Sequence, residues 1–127
     1  MKKILVATGI VGLFLMAVPA LTFACQEGTF NVKGWNPGVN PASKPTYNGT
    51  VKIKKSGESY MLNWKIANDE FAGIGVCDAV SKTLHVSYAH LEAGWFGVVS
   101  YDKNLNGKWA VYGASPVQWG SESLTKK

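Results

Sequence analysis

Arginine is missing from the chain: all 13 basic residues are lysine. Without it there is no planar guanidinium fork to grip a phosphate or a base edge at two points, which argues against a nucleic-acid partner. Histidine is scarce, with only His85 and His90, five positions apart. They lack the one-helix-turn spacing of a metal-binding pair, and no Gly-rich phosphate loop accompanies them. A set of Cys77, Asp78 and His85 can be drawn as a metal site, but a bridged cysteine, a turn aspartate and a solvent-facing strand histidine describe the same residues. The strained Gly-x-Ser-x-Gly elbow that exposes a nucleophilic serine does not occur. Ser87, Asp78 and either histidine can be assembled on paper into a triad, and Glu58, Glu92, Asp102 and Glu122 offer carboxylates, yet no spacing pairs them. The expectation is a protein that is not an enzyme, with no catalytic residues, no metal and no cofactor.

There is a single long hydrophobic run. Met1-Lys2-Lys3 precedes an almost unbroken apolar stretch from Ile4 to Val18, and Pro19 to Ala24 follow with small residues. A charged start, an apolar middle and a small-residue exit describe a secretory signal peptide. A membrane span needs about 20 apolar residues, whereas this run is shorter, carries Gly9 and Gly12, and ends at Pro19. We therefore read residues 1–24 as a signal peptide and 25–127 as a single β domain, exported to the periplasm or cell exterior without a transmembrane anchor. Cleavage after Ala24 is preferred, with Ala20 as the alternative.

Cysteine is limited to Cys25 and Cys77. An even pair in an exported chain favours a disulfide. Closing a loop of about 52 residues would contribute roughly 4 kcal/mol in the chain-entropy model. The alternative is a lipid anchor on Cys25, which Ala24 suits and which Thr22 and Phe23 suit poorly.

The segment from Cys25 holds 11 lysines against 8 acids, a net charge near +3. Its densest basic cluster is Lys52, Lys54 and Lys55. Lys52 and Lys54 alternate with Val51 and Ile53, which makes them a solvated outer face that discourages edge pairing.

Useful amphipathic helices are absent too; the periodicity is two. Tyr47, Gly49, Val51 and Ile53 alternate with polar residues, a Ser-Gly turn follows, and Tyr60, Leu62, Trp64 and Ile66 alternate again, giving a β-hairpin. A short strand over Glu27–Gly34 precedes it, followed by a loop from Trp35 to Pro45 with three prolines. Asn68-Asp69-Glu70 is a predicted turn. Phe71 to Val76 follows, with Gly73 and Gly75 as points where a large side chain such as Trp64 packs close. Leu84, Val86 and Tyr88 form another strand, His90 to Ala93 a turn or brief helical loop, and Gly94 to Tyr101 a further strand. Asp102 to Gly107 is a predicted hairpin turn, because its Asn-Gly pair favours the left-handed conformations that tight turns need. Trp109 and Val111 lie in the next strand, a Gly-Ala-Ser-Pro loop follows, and the last strand runs from Trp119 to Leu124. About eight short strands at regular spacing mean an all-β fold. A small antiparallel, eight-stranded up-and-down barrel is favoured because closure removes free edges; a β-sandwich is the alternative.

Five Trp and five Tyr are the unusual asset. Tyr60, Trp64 and Trp109 point inward, either as core or as contacts for a ligand held inside. Trp35, Trp95 and Trp119 lie near loops or bends and are candidates for binding at a rim.

The order of motifs carries a resemblance. Tyr47-x-Gly49-x-Val51-x-Ile53, Ser59-Tyr60-x-Leu62-x-Trp64-x-Ile66, Phe71-x-Gly73-x-Gly75, Leu84-x-Val86, Val98-Val99-x-Tyr101, Leu105-x-Gly107-x-Trp109 and Gly120-x-Glu122-x-Leu124 together resemble small exported bacterial proteins labelled fibronectin-binding or hypothetical. The resemblance runs from Gly28 to Leu124, and Cys25 and Cys77 stand outside it. It implies an exported binding protein without enzymatic activity, with an extracellular matrix protein such as fibronectin as partner. That partner is the first functional expectation; the inward aromatics give the second, a calycin- or avidin-like barrel that holds a small apolar ligand among Tyr60, Trp64 and Trp109. An uncharacterised hydrolase is a distant third.

Overall fold

A computed structural model of the chain describes residues 24–114 and 117–127. The predicted signal peptide therefore lies outside the described residues except for Ala24, as do Ser115 and Pro116 of the predicted loop. Eight strands follow one another: β1 (Gly28–Trp35), β2 (Tyr47–Ser56), β3 (Ser59–Ile66), β4 (Asp69–Asp78), β5 (Thr83–His90), β6 (Phe96–Tyr101), β7 (Asn106–Val111) and β8 (Gly120–Lys126). Each pairs antiparallel with the next, and β1 pairs with β8 to close an up-and-down barrel. This is the favoured architecture rather than the sandwich. Eight strands leave an interior just wide enough for side chains to fill or for one small ligand.

Alternation sets the interior. In β2 and β3, Val51 lies opposite Trp64 and Ile53 opposite Leu62, all four buried, while Lys52 and Lys54 face out. Gly73 of β4 pairs with Leu62 and leaves room for the Trp64 ring, whose Cη2 would stand 3.1 Å from an added Cβ. A bulkier residue there would push the indole aside.

Several boundaries differ from expectation. The β6–β7 connection is Asp102 to Leu105, with Leu105 at φ 64°, and the Asn106-Gly107 pair opens β7, where Gly107 pairs with Tyr101, instead of forming the turn. The β3–β4 turn shrinks to Ala67 and Asn68, with Ala67 at φ 55°, so Asp69 and Glu70 join the ladder. His90 ends β5 instead of opening a turn, since it pairs with Phe71. Gly94 and Trp95 stay outside β6, because Trp95 accepts the His90 amide across the connection.

The two ends of the barrel are unlike. At one end the segment before β1 folds over the opening. Cys25 is buried and bonded to Cys77 with Cα atoms 6.0 Å apart, and its amide donates to the Tyr60 hydroxyl at 2.9 Å. The Glu27 carboxylate accepts the Lys55 amide, and Lys126 Nζ donates to the Glu27 carbonyl. Phe30, Ile53, Tyr60, Leu62 and Leu84 pack behind this cover. A disulfide fits an oxidising, exported compartment. The bond also occupies the sulfur that a lipid anchor would require.

Candidate ligand-binding site

The other end is hollow. A cavity of about 220 Å³ opens there, and seven of its eleven lining residues are aromatic. The strand register brings them together: Tyr47 begins β2, Trp64 lies late in β3, Phe71 early in β4 and Tyr88 late in β5. Trp95 closes in from the β5–β6 connection, and Trp109 comes from β7.

The rings brace one another, edge to face or tilted. Phe71 lies 6.2 Å from Tyr88 and 5.4 Å from Trp95 between centroids, and Trp64 lies 5.9 Å from Tyr88. Such pairs contribute about 0.5–1.5 kcal/mol each beyond burial. His90 supports the rim, with its ring 5.0 Å from Phe71 and 5.3 Å from Trp95. Its Nδ1 faces the amides of Glu92 and Ala93, which places the ring proton on Nε2, 3.0 Å from Asp69.

One acid lies at the cavity floor. Glu122 sits between Gly120 and Leu124 on the inward register of β8 and is 7% exposed. Its Oε2 accepts from Tyr47 at 2.6 Å and its Oε1 from Tyr101 at 2.5 Å. Tyr101 in turn accepts the Trp64 indole N–H at 3.1 Å. Burial holds the Glu122 carboxyl above its usual range, and the bonds from Tyr101 and Tyr47 offset part of that rise. Burial, then the nearby Glu122 charge, pushes Tyr47, Tyr88 and Tyr101 upward, so Tyr47 and Tyr101 remain protonated donors. The Trp109 N–H is buried with no acceptor in hydrogen-bonding geometry, although it stands near enough to Tyr47 to ease ionisation of that hydroxyl slightly.

The sequence-predicted residues separate. Trp64, Trp95 and Trp109 meet at this cavity, and Trp95 is 40% exposed at its mouth. Tyr60 lies at the covered end as the partner of Cys25. Trp35 is 8% exposed and donates from Nε1 to the Ser43 carbonyl, which pins the proline-rich loop over it. Trp119 stands outside the cavity, 62% exposed, with Lys108 Nζ 4.7 Å from its ring centroid. Tyr47, Phe71, Tyr88 and Tyr101 also line the cavity; all follow the inward alternation, which by itself does not mark them as site residues. In the sequence Glu122 is one carboxylate among several, and its signal is an acid on an otherwise apolar strand register.

The remaining polar candidates have other partners. The Asp78 carboxylate accepts the amides of Val80 and Ser81, and the His85 ring meets Ser100 at 2.9 Å on the outer wall. Among the described residues, no three His, Cys, Asp or Glu side chains converge as a metal site requires.

No protein-family model matches the chain, and no curated protein or solved structure is similar enough to match it.

Proposed function

We propose that the protein is an exported binding barrel that takes one small, flat, largely apolar molecule into its open end. The observation that carries this reading is the aromatic-walled cavity of about 220 Å³. An apolar protein cavity of about 150 Å³ takes one benzene, so this space suits roughly nine heavy atoms: one ring with a short chain, or a small bicycle. Apolar walls with a few convergent polar groups are the usual composition of a small-molecule site. Titration of the protein with benzyl alcohol and indole, followed by calorimetry, tests the reading. Saturable binding of one molecule per chain is expected; failure of both probes to saturate would overturn it.

A protein partner such as fibronectin is the second reading. It is supported by an outward row in which Met61, Ile74 and Val98 are each about half exposed and aligned across β3, β4 and β6. Saturable binding to immobilised fibronectin that survives moderate salt would favour it. Binding lost to salt would mark simple lysine adhesion instead.

A further inference from the structure

The cavity floor has a charge problem that its own residues do not solve. Glu122 is the sole carboxyl among the lining residues, and no basic side chain lines the cavity with it. Every described lysine is exposed. The two tyrosine hydroxyls address the two oxygens separately, Tyr47 to Oε2 and Tyr101 to Oε1. Each tyrosine hydroxyl can donate to its own oxygen, an arrangement that serves the ionised carboxylate on both sides. An ionised carboxylate offers about four acceptor sites, so Glu122, which lines the cavity, keeps acceptor capacity beyond its two tyrosine bonds. Burying such a charge without a partner of opposite sign costs several kcal/mol.

The walls indicate what the missing partner is. Aromatic faces carry negative electrostatic potential and attract a cation placed over them. Trp64, Tyr88 and Trp109 stand around the same space as Glu122. An anionic head would meet the carboxylate and the ring faces with the wrong sign. A neutral head would leave the carboxylate unpaired.

We infer that the ligand is a small arylalkylamine, its ring held among the aromatic walls and its ammonium group seated on Glu122. This rests on the binding-barrel reading and specifies the ligand's charge.

The test compares 2-phenylethylamine, 2-phenylethanol and phenylacetate by calorimetry at neutral pH, with displacement of indole to place all three in the same cavity. The amine is expected to bind at least about tenfold tighter than the alcohol, as a hydrogen bond to a charged group implies, and phenylacetate weakest. In Glu122→Gln, checked for folding by its melting curve, the preference of amine over alcohol is expected to fall within about threefold. The wild-type series decides the matter even if that variant does not fold. Equal affinity for amine and alcohol would overturn the ammonium assignment and leave the binding barrel intact. If neither these compounds nor indole bind, both are lost.

Discussion

The Tyr101 hydroxyl donates to Glu122 Oε1 at 2.5 Å and so links β6 to β8 across the barrel interior, over the intervening β7. The Tyr101 hydroxyl oxygen itself accepts the Trp64 indole N–H, so one hydroxyl satisfies two buried partners. Tyr101→Phe would leave both unpaired while nearly conserving volume. Leaving buried polar groups unsatisfied costs about 1–3 kcal/mol each. We expect a loss of about 3 kcal/mol, read as a fall in melting temperature of roughly 12–24 °C. A change under a few degrees would mean that the hydroxyl is not structurally engaged.

The same carboxyl predicts a pH dependence. Burial raises the folded-state pKa of Glu122 above its ordinary value of 4.5, so the folded chain holds this proton more tightly than the unfolded chain does. Its contribution to stability is complete below pH 4.5 and is lost as pH rises through the folded value. Asp78 acts in the opposite sense and in another window. The amides of Ser81 and Val80 lower its pKa below 3.8, so its contribution is lost only as the solution becomes more acid than that. Melting temperatures measured upward from pH 4.5 should fall in the wild type and should flatten in Glu122→Gln. Parallel curves would remove Glu122 as the cause.

Alternation made the direction of side chains legible, and with it the barrel. Trp64 over Gly73, and Trp109 pointing inward, follow from a period of two. The volume left inside does not, because inward positions mix glycines such as Gly97, Gly107 and Gly120 with large rings, and packing decides what remains empty. Trp35 shows the other limit. It lies on the outward register beside Gly34, yet a loop folds over it and Ser43 accepts its N–H. Such docking depends on how the loop returns, which periodicity does not encode.

The disulfide closes the end opposite the cavity and joins residues 52 apart. In the chain-entropy model that constraint is worth about 4 kcal/mol. The double variant Cys25→Ser with Cys77→Ser should therefore melt roughly 16–32 °C lower. At temperatures where it remains folded, it should still bind indole within about twofold of wild type, because no lining residue of the cavity is altered. Loss of binding in a folded sample would show that the covered end shapes the open one.

Trp95 and Trp119 offer a matched comparison of two exposed tryptophans. Trp95 touches Phe71, Tyr88 and His90 at the cavity mouth, whereas Trp119 has Lys108 beside it on the outside. Trp95→Ala should weaken indole binding about tenfold, the equivalent of roughly 1.4 kcal/mol of lost ring contact. Trp119→Ala should leave the affinity nearly unchanged. The reverse ranking, measured by calorimetry, would move the site to the outer wall.

Gly120 gives the most direct handle on the cavity itself. An added Cβ there would come 2.1 Å from Cε2 of Trp109, so the indole must move in Gly120→Ala. Its neighbours on the inner side are the Tyr47 ring, 6.4 Å away between centroids, and the cavity space. We expect the ring to shift into that space, at a cost of about 1–3 kcal/mol for overpacking, and to abolish measurable indole binding. Gly57 supplies the control. It sits at φ 62° in the β2–β3 turn with nothing within 4 Å of an added Cβ. Gly57→Ala should cost about 1–2 kcal/mol through its left-handed backbone while leaving indole affinity unchanged. If both variants lose stability alike and both retain binding, Trp109 does not wall the ligand space.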